Sequence, residues 1–142
     1  MVRLWHTVQE LICSLDGDAS ANARVKSSPA RSMQLLVENL SPTQRAQYER
    51  CKYFEVIGGD TGSRYRIRRG RVLNVELLDN NGRRTTVLCF MPEGQLPMGD
   101  VMLAQKLALE LFEAQAIRVA HRAHILDPRL AGDLRLRYRL RR

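Results

Sequence analysis

The chain has 142 residues, 44% of them hydrophobic, which suits one domain with a modest core and leaves little for a second. A formal charge of +8 makes an anionic partner plausible, although net charge governs solubility and non-specific attraction rather than fold. Three widely spaced cysteines, Cys13, Cys51 and Cys89, form no CxxC pair, so reduced thiols in a cytoplasm are expected rather than a disulfide framework.

Leu4, Val8, Leu11, Ile12 and Leu15 recur at helical spacing, predicting an amphipathic helix from about Arg3 to Leu15. Such a stripe needs a surface to cover it, so Leu4, Val8, Leu11 and Leu15 are the candidate interaction residues, with self-association or another protein as the expected partner. His6, Gln9 and Glu10 interrupt the apolar run that a secretion signal requires, and no stretch approaches the roughly 18 to 20 apolar residues of a membrane span. A soluble protein without membrane contact is expected.

Asp16 to Ser32 collects Gly, Ser, Ala, Asn and Pro29 without any period and reads as a linker. Three regions follow: residues 1–32 as helix and linker, 33–125 as the core domain and 126–142 as a basic tail. Within the core, a short helix is expected from Met33 to Asn39. Ser41 as cap with Pro42 at the first helical position starts a second, which runs to about Lys52.

Tyr53 to Ile57 has strand composition, and Gly58-Gly59-Asp60-Thr61-Gly62 has the residues of a loop. Arg64 to Arg68, Val72 to Leu78 and Arg83 to Phe90 read as three more strands, separated by Arg69-Gly70-Arg71 and by Asp79-Asn80-Asn81-Gly82. Alternation places Tyr65 and Ile67 on one face of their strand and Arg64, Arg66 and Arg68 on the other. In the third strand Leu73, Val75 and Leu77 are expected to share a face; for the fourth, the pattern leaves the inward face open. Beyond Pro92 and Pro97 a helix is expected from about Asp100 to His121, apolar around most of its circumference, with a narrow charged stripe through Lys106, Glu110 and Glu113. Burial on two sides follows, with Leu107 and Leu111 against the strands. The fold class is therefore α+β: a small antiparallel meander of three to four strands packed against a long C-terminal helix, with short helices before it.

The runs Phe54 to Gly62, Tyr65 to Gly70, Asn74-Val75, Cys89 to Pro92 and Gly99 to Glu110 resemble, in order and composition, a group of short bacterial proteins and domains. The resemblance spans roughly Leu40 to Arg122. That group carries no assigned activity, so the resemblance implies a fold unit and no catalytic residue.

Candidate chemistry is sparse. His121 and His124 stand three apart with Cys89 and Asp127 available, but a structural zinc site wants four convergent ligands and a second local pair is missing, so two ordinary histidines are the better reading. Cys89 with His121 or His6 offers a thiol and a base, yet the setting of Cys89 is that of a packed strand residue. The Gly58 to Gly62 run has amides that suit phosphate but lacks the lysine and spacing of a P-loop. No catalytic residue, metal or cofactor is expected, and an enzyme ranks third among the readings. First stands a non-catalytic binding or scaffolding module acting through protein–protein association. The alternative is an RNA- or DNA-binding protein. It would use Arg64, Tyr65, Arg66, Arg68, Arg69, Arg71, Arg83 and Arg84 of the strands and their turns, and Arg135, Arg137 and Arg139 of the alternating tail from Leu134 to Arg142.

Overall fold

A computed structural model describes residues 6–8, 10, 11, 14, 29–90 and 95–123. From residue 29 on, the described residues form three helices and five strands in the order α1 (Pro29–Glu38), α2 (Pro42–Cys51), β1 (Tyr53–Ile57), β2 (Arg64–Arg68), β3 (Val75–Leu78), β4 (Arg84–Cys89), α3 (Met98–Val119) and β5 (His121–Ala123). All five strands pair antiparallel with their neighbours in one sheet, β1-β2-β3-β4-β5. The architecture is the expected α+β meander covered by a long helix, extended by a fifth strand where the chain leaves α3 and returns to β4.

Helix α1 begins at Pro29, inside the stretch expected as linker. Its first turn is fixed by packing: Ser32 is 1% exposed, and a methyl group at Gly99 of α3 would overlap the Ser32 carbonyl. Helix α2 starts as its sequence dictates, with the Ser41 hydroxyl accepting from the Gln44 amide at 3.2 Å and the Gln44 side chain accepting from the Ser41 amide at 3.1 Å. This helix also closes the β1 edge. Gln47 accepts from the Glu55 amide (2.9 Å) and Gln44 donates to the Glu55 carbonyl (3.0 Å), so the backbone groups an edge strand would offer to another chain are occupied here.

On the inner face Phe54, Val56, Tyr65, Ile67, Val75 and Leu88 meet Met102, Leu103, Leu109 and Ala116 of α3 in one core, to which Leu35, Leu36 and Tyr48 of the early helices belong. Register settles the β4 ambiguity: Leu88 lies opposite Val75 and faces inward with Thr86, whereas Val87 and Cys89 face outward. Strand β3 is shorter than expected. Leu73 adopts a left-handed φ of 52°, and Asn74 is buried with its amide donating to the Arg68 and Gly70 carbonyls (both 3.1 Å) and exchanging hydrogen bonds with Gln105 at 2.8 and 2.9 Å. The β2–β3 connection thus wraps around one asparagine instead of extending the ladder.

The second apolar side of α3 is covered by α1 of the same chain. His6, Thr7, Val8, Glu10, Leu11 and Ser14 are helical, and Val8 is fully buried in the same core while Leu11 is half-buried; Leu4 and Leu15 lie outside the described residues. Leu111 corrects its expectation: it is 55% exposed, whereas Leu107 packs half-buried on the core. At about 100° per residue, Leu111 sits some 200° from the inward Leu109. The charged stripe of α3 is turned inward, with Lys106 9% and Glu113 1% exposed.

Candidate functional site

The register sets Glu55, Arg66 and Glu76 side by side across β1, β2 and β3, and Tyr53 opposite Arg68. These side chains interlock on the outer face of the sheet. Arg64 and Arg66 each reach Glu55 at 2.8 Å, and Glu76 is reached by Arg68 at 2.8 Å, by Arg84 at 3.3 Å and by Arg66 at 3.6 Å. The Arg66 and Arg68 guanidinium groups also lie 4.6 and 5.4 Å from the centre of the Tyr53 ring, within cation–π range. The Glu76 side chain is only 4% exposed, and its Oε2 has no hydrogen bond, leaving the Arg66 ion pair as its compensation. Burial favours a neutral Glu55, but the hydrogen bonds and charges of Arg64 and Arg66 outweigh it and hold that carboxyl below its ordinary range.

Four arginines against two carboxylates leave this face with two net charges rather than four. The other candidate arginines do not extend it. Arg69 and Arg71 belong to the β2–β3 connection, and Arg83 is exposed in the β3–β4 turn, which antiparallel pairing puts at the opposite end of the sheet. Tyr65 faces inward, away from the arginines, and is 3% exposed. Arg135, Arg137 and Arg139 lie outside the described residues.

A second polar centre lies on the inner side, built around Glu113 of the charged stripe. Glu113 accepts four hydrogen bonds: from the amides of Asp60 (2.9 Å) and Thr61 (2.7 Å), the Thr61 hydroxyl (2.5 Å) and the buried Tyr65 hydroxyl (2.7 Å). The loop whose amides suit phosphate therefore holds an anion, and the anion is the protein's own carboxylate. Burial alone would raise the Glu113 pKa; the Thr61 and Tyr65 side chains and the Thr61 and Asp60 amides overcome this and lower it. Tyr65 responds oppositely, its pKa driven well up by burial first and by its bond to the Glu113 carboxylate second.

The loop fits because Gly58 and Gly59 have no side chains. A methyl at Gly58 would overlap the Glu113 carboxyl group, and one at Gly59 would overlap the Glu110 carbonyl. Helix α3 is kinked here, with Phe112 at φ −141° and ψ 39°. The loop serves backbone groups on both sides of that kink: the Gly59 amide donates to the Leu109 carbonyl at 3.1 Å, and Asp60 accepts from the Ala114 amide at 2.7 Å. A legible signal existed in the sequence, namely a φ-permissive, amide-rich loop and an acidic residue on an otherwise apolar helix.

Beside this hub, a cavity of about 270 Å³ opens between β2, β3, β4, α3 and β5. Leu77, Leu88 and Ile117 form its apolar wall, and Thr61, Ser63, Tyr65, Thr86, Glu113 and Arg122 supply polar groups. Arg122 reaches it because β5 pairs Arg122 with the inward-facing Leu88.

The candidate thiol and imidazole do meet in register, Cys89 opposite His121 across β4 and β5. Cys89 is buried and His121 exposed. His124 and Asp127 lie outside the described residues. No cluster of three or more potential metal ligands exists among the described residues, and no helix among them is long and apolar enough to cross a membrane. Comparisons with protein-family models, curated proteins and solved structures gave no match.

Proposed function

We propose that this chain is a small non-catalytic binding module that associates with another protein through the outer face of its sheet. The supporting observation is the partial internal neutralisation of the arginine ladder by Glu55 and the buried Glu76. Polyanion binding draws its affinity from free cations that displace counterions, and guanidinium groups already paired with carboxylates have less to gain. Protein interfaces, in contrast, favour pre-organised arginine and tyrosine beside apolar surface. Tyr53 clamped by two guanidinium groups, with Ile57 at 55% exposure on the same face, has that character. The partner chemistry that fits is an apolar patch ringed by carboxylates, matching the residual positive charge. Neither Cys51 nor Cys89 is disulfide-bonded, in keeping with a reducing, cytoplasmic setting for this association, and the resemblance to short bacterial proteins belongs to the same proposal.

Two exposed apolar residues supply a matched test. Ile57 on the outer face and Leu111 on α3 are both 55% exposed. A photo-cross-linking residue placed at Ile57 in cells should capture one discrete protein, and the same group at Leu111 should not. Capture only from Leu111, or from neither, would overturn the assignment. A product at twice the chain mass would identify the partner as a second copy.

A further inference from the structure

We infer that the cavity on the inner side of the sheet binds a small amphiphilic monocarboxylate, with the anionic head on the Arg122 guanidinium and the apolar body against Leu77, Leu88 and Ile117. Size, polarity and orientation each contribute. At about 30 Å³ per water, 270 Å³ holds about nine water molecules, near the lower end for ligand sites and suited to a molecule of about ten non-hydrogen atoms. The apolar wall is continuous with the core, since Leu88 belongs to it and Leu77 and Ile117 pack against it.

The charges fix which end of a ligand goes where. Glu113 also borders the cavity, but both its oxygens are filled by four donors, so it offers a ligand no free acceptor and its negative charge turns an anion away. Arg122 is exposed at the border and pairs with no carboxylate among the described residues. A cation at the mouth and an ionised carboxylate deeper in therefore place an anionic head outside and an uncharged body within. A second cation set against Glu113 would have cancelled this polarity, and the loop amides make one unnecessary. Because this cavity and the proposed protein-binding face lie on opposite sides of the sheet, each assignment stands or fails alone.

Octanoate, its uncharged analogue octanamide and the isotopically labelled full chain provide the test by NMR titration. Octanoate should give saturable shifts centred on Thr61, Ser63, Tyr65, Thr86 and Ile117. Arg122→Gln should weaken it about tenfold or more, the worth of one hydrogen bond to a charged group. Octanamide should bind wild type and Arg122→Gln alike. Ala114→Trp, introduced at an exposed position bordering the cavity, should fill the space and abolish binding with the spectrum of the fold retained. Absence of saturable shifts at millimolar octanoate, equal octanoate affinity in Arg122→Gln, or undiminished binding by Ala114→Trp would each overturn the assignment.

Discussion

Replacing Glu113 by alanine removes the shared acceptor of four hydrogen bonds at once. The donors on Asp60 and Thr61 belong to exposed residues and regain water, so each contributes on the order of 1 kcal/mol. The Tyr65 hydroxyl, on a residue 3% exposed, has no such recourse and costs roughly 1 to 3 kcal/mol when left unpaired. The total is about 4 to 6 kcal/mol, on the order of 15 to 20 °C in melting midpoint for a chain of this size. Gly58→Ala should be similarly costly, because its methyl would displace the same carboxylate. In a background already lacking Glu113 the obstruction is gone, so Gly58→Ala should then cost little, giving a coupling of about 2 kcal/mol or more. Gly59→Ala is the control: its methyl meets the Glu110 backbone carbonyl, which Glu113→Ala leaves in place, and its effect should add. Urea and thermal melts of the single and double variants measure all of these. Additive effects of Gly58→Ala and Glu113→Ala, or a loss below about 1 kcal/mol for Glu113→Ala, would refute the hub as a stabilising element.

Stability should fall at both pH extremes. The carboxyls of Glu113 and Glu55 titrate below their ordinary range in the folded chain, so the unfolded chain binds more protons near pH 4; their contribution is present above about pH 5 and is lost as pH falls through the folded values. Tyr65 has a raised pKa, so its contribution is complete below about pH 10 and is lost as pH rises further, which denaturant midpoints from pH 3 to 11 would register as a dome. Leu109→Ala should cost about 2 to 5 kcal/mol because Leu109 is fully buried, whereas Leu111→Ala should leave the midpoint within about 0.5 kcal/mol. The reverse order would mean that α3 is rotated about its axis.

Local signals were the readable ones. Tyr53 to Ile57 and Arg64 to Arg68 occupy the expected strands, the Ser41–Gln44 box starts α2, and Gly82 at φ 74° makes the expected turn with Asp79 accepting from two loop amides. The site depended on residues distant in sequence. Whether Glu113 faces water or core is decided by a loop some fifty residues earlier, and an acidic residue on a helix carries no local mark of its partner. The arginines of β2 were visible as a face, but their neutralisation required the register that places Glu55 and Glu76 on either side. Strand β5 was hidden because three residues after a helix show too little alternation to be distinguished from its last turn. Charge reversal at Arg66 and Arg68, harmless to a solvated face, would here surround the buried Glu76 with like charge.

The carboxylate-paired ladder is tested most directly by the salt dependence of oligonucleotide binding in wild type and an Arg64→Gln/Arg68→Gln variant. These two arginines are half-exposed members of the ladder, and their replacement leaves Arg66 on Glu55 and both Arg66 and Arg84 on Glu76. Removing one arginine–phosphate pairing should lower the magnitude of the log–log slope by about one. Any residual affinity for duplex or single-stranded DNA and RNA should have the same slope in both proteins, as expected if the outer arginines are held by their own carboxylates. A slope shallower by about two in the variant, with weaker binding, would contradict this and make the face a nucleic-acid surface.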